Sequence, residues 1–90
     1  MPHSRSAMKR LRQNRKRRLR NKSHKSAMKT QIKKFLTALE KGDENLSAVL
    51  AATFKKIDQV AAKGIIHKKK ADRIKSRLSL RMNRILAGRN

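Results

Sequence analysis

Between Ala7 and Lys29 the chain carries eleven Lys or Arg residues in 23 positions and no Asp or Glu. Only three large apolar side chains, Met8, Leu11 and Leu19, precede Met28 in that stretch. Lys and Arg have good helix propensity, but like charges repel at i, i+4, and so little apolar surface does not offset the entropy of ordering the segment. Any fold must therefore leave the stretch outside its core. An anionic partner has to hold it in one shape.

The whole chain points the same way. Over 90 residues, 27 basic groups face five acidic ones, a formal net charge of +22. A chain this short makes one small domain with a modest core, and that charge works against its compact state unless a polyanion screens it. Nucleic acid is the leading polyanion, because each Lys or Arg set on a phosphate releases condensed counterions; six to ten such contacts weaken by about 10³ to 10⁵ between low and moderate salt. An anionic membrane surface or an acidic protein is the alternative class. The absence of cysteine rules out a disulfide framework and thiolate metal sites, and suits a reducing compartment. No apolar run approaches the roughly 20 residues of a transmembrane helix. The first 30 residues lack the apolar region of a secretory signal, whereas their Arg-rich, acid-free composition also fits an organellar transit peptide.

Gly42 and Gly64 stand just after amphipathic segments, where glycine closes a helix in the left-handed conformation. The pattern predicts three helices, over about 6–41, about 44–63 and about 68–87, behind a disordered tail at 1–5. Ser4 or Ser6 can cap the first, which would run for about 55 Å at the helical rise. Met28, Ile32, Phe35, Leu36 and Leu39 share one face of its second half. Asp43 fits the N-cap of helix two, and Leu46, Val49, Leu50, Phe54, Ile57, Val60 and Ala61 form its apolar stripe. Its outer face is near charge balance, with Lys55, Lys56 and Lys63 against Glu44 and Asp58, and is the least suited to phosphate. Helix three follows the connection Gly64-Ile65-Ile66-His67 and repeats Ala71, Ile74, Leu78, Met82 and Ile85 at helical spacing. Strand signals are lacking: no Tyr, no Trp, no period-two run. The expected fold is all-α, a three-helix bundle with a long N-terminal helix projecting beyond it, as one domain over 1–90. Helices two and three match only about Lys22 to Lys41 of helix one, so its earlier turns should overhang by about 25 Å.

Cations surround the first half of helix one at Lys9, Arg10, Arg12, Arg15, Lys16, Arg17, Arg18 and Arg20. Lys22, Lys25, Lys29 and Lys33 then form a stripe roughly 90° from the apolar one. Helix three repeats the device with Lys70, Arg73, Arg77, Arg81 and Arg84, behind a start marked by His67, Lys68 and Lys69. Ordinary solvated surfaces intersperse acids among such cations, and here acids are almost absent, which favours phosphate contact over a bland surface. Asn14, Asn21, Ser23, Ser26 and Thr30 could add sugar or phosphate hydrogen bonds. Phe35 and Phe54, the only aromatics, lie in apolar stripes and read as core. The aromatic sheet of an RRM and the G-x-x-G loop of a KH domain are both missing. His3, His24 and His67 are too scattered for a metal motif, and five sparse acids offer no general acid/base pair, so neither an enzyme nor a cofactor is expected. Leu80 lies off the helix-three core stripe, as a plain surface leucine or a contact with a groove or neighbour.

Three segments carry a family resemblance: "SAMKRLRQN" near the start, "KSAMKTQIKKF" at Lys25 to Phe35, and above all "AAKGIIHKKKADRIKSRL" at Ala61 to Leu78. The chain resembles, over nearly its whole length, the bacterial-type small-subunit ribosomal protein twenty family of bacterial and plastid ribosomes. The resemblance implies a three-helix bundle bound early in assembly to 16S-type small-subunit rRNA, bridging its 5′ domain and its long penultimate helix. It also implies a monomer within the ribosome, in the cytoplasm or the plastid stroma, with other small-subunit proteins as possible neighbours and no membrane or small-molecule substrate. By position it implies Arg10, Lys29, Thr30, Lys33 and Lys34 at the RNA interface on helix one, and Lys63, His67, Lys68, Arg73, Lys75 and Arg77 around helix three. Met8, Lys69 and Leu80 depart from the family's usual residues. The rival classes are a DNA-compacting basic protein and a membrane-active cationic peptide.

Overall fold

Three helices carry almost all of residues 5–88, the part of the chain that the computed structural model describes: α1 (Arg5–Lys41), α2 (Leu46–Ala62) and α3 (Lys68–Gly88). No strand occurs among the described residues, so the fold is all-α. The tail expected at 1–5 lies outside the described residues except for Arg5, which is already helical. Of the two serines that could cap α1, Ser4 also lies outside them and Ser6 is inside the helix.

Glycine ends the first two helices in the same way. Gly42 takes φ 69°, its N–H reaches the Leu39 carbonyl at 3.3 Å, and the Asp43 N–H reaches back to Ala38 at 3.0 Å. Gly64 takes φ 74°, with Gly64 N–H on Ala61 at 2.9 Å and Ile65 N–H on Val60 at 3.2 Å. Both are Schellman turns, which satisfy the last free carbonyls and need the left-handed residue that glycine supplies. Asp43 does not cap α2. Its Oδ1 accepts the Asn45 N–H at 3.2 Å in a local turn, Asn45 takes the cap position without a side-chain bond, and the helix starts at Leu46 rather than at 44. A short acidic side chain that can bond two residues on competes with capping, and here the turn wins.

The core is one cluster. Met28, Phe35, Ala38 and Leu39 of α1 meet Leu46, Ile57 and Val60 of α2 and Ala71 and Leu78 of α3, with Ile66 closing it from the connection. α2 is the central element: it packs along α1 and then against α3, while α1 and α3 touch little. Thr53 sits fully buried within the α2 apolar stripe, its hydroxyl donating to the Val49 carbonyl at 2.8 Å and accepting from Gln31 Nε2 at 3.3 Å. Those two bonds meet its polar demand, which makes the burial tolerable.

The molecule is long. Its extents are 66 × 22 × 18 Å and its radius of gyration is 18.1 Å, against about 12 Å for a compact chain of this length. α1 accounts for the difference, because its buried residues begin only at Met28.

Candidate nucleic-acid interface

The overhanging half of α1 is a cationic rod. Lys9, Arg10, Arg12, Arg15, Lys16, Arg17, Arg18 and Arg20 are all exposed, and so are Leu11 at 62% and Leu19 at 63%. These leucines find no cover among the described residues. Where the rod enters the bundle, Lys22, Lys25, Lys29, Lys33 and Lys34 are exposed as well, and the only acid of α1 is Glu40 in its last turn. One shallow groove is lined by Asn14, Arg17, Arg18, Asn21, Lys22, Lys25, Ser26 and Lys29, so the amides stand directly among the cations. The Thr30 hydroxyl donates to the Ser26 carbonyl at 2.9 Å, which leaves its oxygen as an acceptor only.

α3 presents a second cationic face. Its start is set by His67, whose Nδ1 accepts the Lys69 N–H at 3.1 Å while its carbonyl accepts the Ala71 N–H at 3.1 Å. The exposed Lys68, Lys69 and Lys70 then stand in the first turn, the positive end of the helix dipole, where cations are unfavourable unless an anion lies beside them. Arg73, Arg77, Arg81 and Arg84 continue along the helix and are all exposed. Leu80, 60% exposed, lies in a shallow groove between Arg77, Arg81 and Arg84.

Lys75 is placed apart from that face. Its Nζ bonds Asp58 of α2 at 2.8 Å, lies 3.8 Å from Asp72, and sits 6.0 Å from the centre of the Phe54 ring. The hydrogen bond to Asp58 raises the Lys75 pKa, against a smaller opposing effect of desolvation. Its charge is answered within the protein and ties α3 to α2. Asp58 consequently faces α3 instead of balancing the lysines of α2.

A third cationic group lies where α1 meets the end of α2. In an antiparallel helix pair, residues equally far from the turn come together, and His24 and Lys63 stand at equal separation from the Gly42–Asn45 turn. Lys63 Nζ is 3.4 Å from His24 Nε2. Desolvation is the largest effect on His24, followed by the charges of Lys63, Lys56 and Arg20, and all lower its pKa. Sequence reasoning selected Lys63 but not His24. His24 stands four residues before Met28, on the flank of the core stripe, and that spacing was the available signal.

The described residues contain no group of three His, Asp or Glu side chains able to hold a metal ion. No described helix is long and apolar enough to cross a membrane. What the geometry offers among the described residues is an extended set of exposed cations on two helices and one arm, suited to a long anion.

Comparison with known proteins sharpens the chemistry. The profile of the family described as Ribosomal protein S20 matches residues 2–83. A relative from Clostridium kluyveri, named small ribosomal subunit protein bS20, is 47% identical over 88 residues, covering 97% of this chain and all of its own. The protein of that name from Shouchella clausii is 46% identical over 88 residues with the same coverage. The one from Mycobacterium sp. strain JLS is 44% identical over 86 residues, 94% of this chain and all of its own.

Proposed function

The chain belongs to the ribosomal protein S20 family, and on that premise we propose that it is a non-catalytic structural constituent of the small ribosomal subunit that holds two parts of the 16S-type rRNA together. The observation that carries the finer reading is the distribution of its exposed cations over separate helices. α1 and α3 each bear an acid-free cationic face, they scarcely touch one another, and the arm adds a third cationic surface beyond the bundle. Cationic faces on separate helices suit two separate RNA segments, which agrees with a bridge between the 5′ domain and the penultimate helix.

Recognition is of phosphate and shape. Arg forks and Lys charges suit phosphate oxygens, while Phe35 is fully buried and Phe54 packs against the core, so no base-stacking platform is on offer. The arm residues Lys9 to Arg20, the α1 set Lys22 to Lys34, and the α3 set Lys68 to Arg84 other than Lys75 make the contacts. The arm becomes ordered on RNA, because phosphates on several sides remove its self-repulsion. The protein acts as a monomer in the ribosome.

A competition footprint tests this. The protein is bound to small-subunit rRNA at about 0.2 M salt with excess duplex DNA, which strips weak electrostatic binding. Discrete protection of two separated rRNA regions is the expected result. Uniform or vanished protection would leave a generic polycation and favour the DNA-compacting class.

A further inference from the structure

His24, Lys63, Lys56 and Arg20 form a cluster that serves neither the core nor an ion pair. Lys63 and His24 meet at 3.4 Å across two helices. An ammonium can only donate, so the His24 ring accepts through Nε2 and carries its proton on Nδ1. The charges acting on the ring come from Arg20 on α1 and from Lys56 and Lys63 on α2, and every one is positive. Arg20 stands one turn before His24 on α1 and Lys56 two turns before Lys63 along α2, so these cations share one surface with the ring, and a phosphate beside them is favoured. That surface lies at the root of the arm, where a phosphate strand passing from the arm to the bundle would cross.

We propose that the His24, Lys63, Lys56 and Arg20 cluster is a phosphate seat in which His24 takes up a proton as an RNA phosphodiester binds. The inference rests on the rRNA reading for its ligand and adds a proton to it. In the free chain the neighbouring cations and desolvation hold the His24 pKa below its ordinary value. A phosphate oxygen between Nε2 and the Lys63 ammonium reverses the sign of the local field and favours the imidazolium, which donates where the neutral ring accepted. No bond is made or broken beyond the transfer of one proton from solvent to Nε2. The sign follows: the complex binds more protons than the free chain, so affinity rises as pH falls through the bound-state pKa, and the gain is complete below the free-state one.

Two measurements on the full chain decide it. The His24 ring resonances are followed by NMR through a pH titration without and with inorganic polyphosphate. Binding to small-subunit rRNA is followed between about pH 8 and about pH 5.5 for the unaltered protein, His24→Gln and His24→Lys. We expect polyphosphate to raise the His24 midpoint by about one pH unit, equivalent to about tenfold in affinity. On rRNA, His24→Gln should lose that tenfold gain, and His24→Lys, permanently charged, should bind at high pH as the unaltered protein does at low pH. A midpoint that polyphosphate leaves unmoved, or equal pH slopes on rRNA for the unaltered protein and His24→Gln, overturns the seat. A raised midpoint with no rRNA binding at any pH supports the seat and counts against the rRNA reading instead.

Discussion

At the scale of single residues, two histidines do opposite work. His67 opens α3, its ring taking the Lys69 N–H that would otherwise be free, in front of three lysines that burden the same helix end. His67→Ala should lower stability to denaturant by about 1 kcal/mol, and His67→Asn, with a better capping side chain, should recover most of it. An unchanged unfolding midpoint in the alanine variant would show the cap to be idle. His24, by contrast, is made harder to protonate by desolvation and by the neighbouring Lys63, Lys56 and Arg20. Its folded pKa lies below the unfolded one, so the unfolded chain binds more protons in that interval. Stability is fully present above the ordinary histidine range and is lost as pH falls through the folded value. Thermal melts of the free chain should therefore drop between about pH 7.5 and about pH 5, and His24→Gln should flatten the trend. A drop of the same size in the variant would assign it to other groups.

At the scale of elements, α1 is two things joined end to end. Its second half is amphipathic and buried from Met28 onward, while its first half has nothing apolar to rest on, with even Leu11 and Leu19 exposed. A helix without tertiary support and with repelling neighbours opens readily in solution. Amide exchange over Lys9 to Asn21 should consequently be fast in the free chain and slowed by about tenfold or more in a complex with small-subunit rRNA; strong protection without RNA would show that the arm orders itself. This division was legible in the sequence, because the apolar period of 3.6 begins at Met28 and the glycines mark where α1 and α2 stop. Other features were not. Asp43 has the chemistry of a cap and of a turn, and only the path of the chain chooses between them. Thr53 reads as polar until Gln31 is brought across from α1 to share its hydroxyl. Ile66 reads as part of a connection until that connection folds over the core. In each case the deciding partner is remote in sequence, where local periodicity carries no information.

At the scale of the whole molecule, a net charge of +22 spread over a length of 66 Å favours, on the proposed rRNA reading, a large share of affinity from counterion release, so that salt dependence counts phosphate contacts. Each contact removed should reduce the slope of log affinity against log salt by about one. That rule separates two residues which are neighbours in sequence and alike in charge. Arg73 is exposed on the α3 face with no acid on its stripe, whereas Lys75 is engaged by Asp58 at 2.8 Å. Arg73→Gln should weaken rRNA binding and flatten the salt slope by about one while the melting temperature stays put. Lys75→Gln should do the reverse, lowering the melting temperature slightly by removing one tie between α3 and α2, and leaving the slope unchanged even if affinity falls. Asp58→Asn gives a second view of the same tie, since it frees the Lys75 charge: a steeper slope in that variant would mean that the released ammonium finds a phosphate. If Lys75→Gln itself flattens the slope by one, then Lys75 leaves Asp58 on binding, and the position that the family resemblance gave it at the interface is correct for the complex although the free chain holds it elsewhere. The two outcomes differ in one observable, so the tie between α2 and α3 is either a fixed brace that sets the angle of the α3 cationic face or a latch that RNA opens.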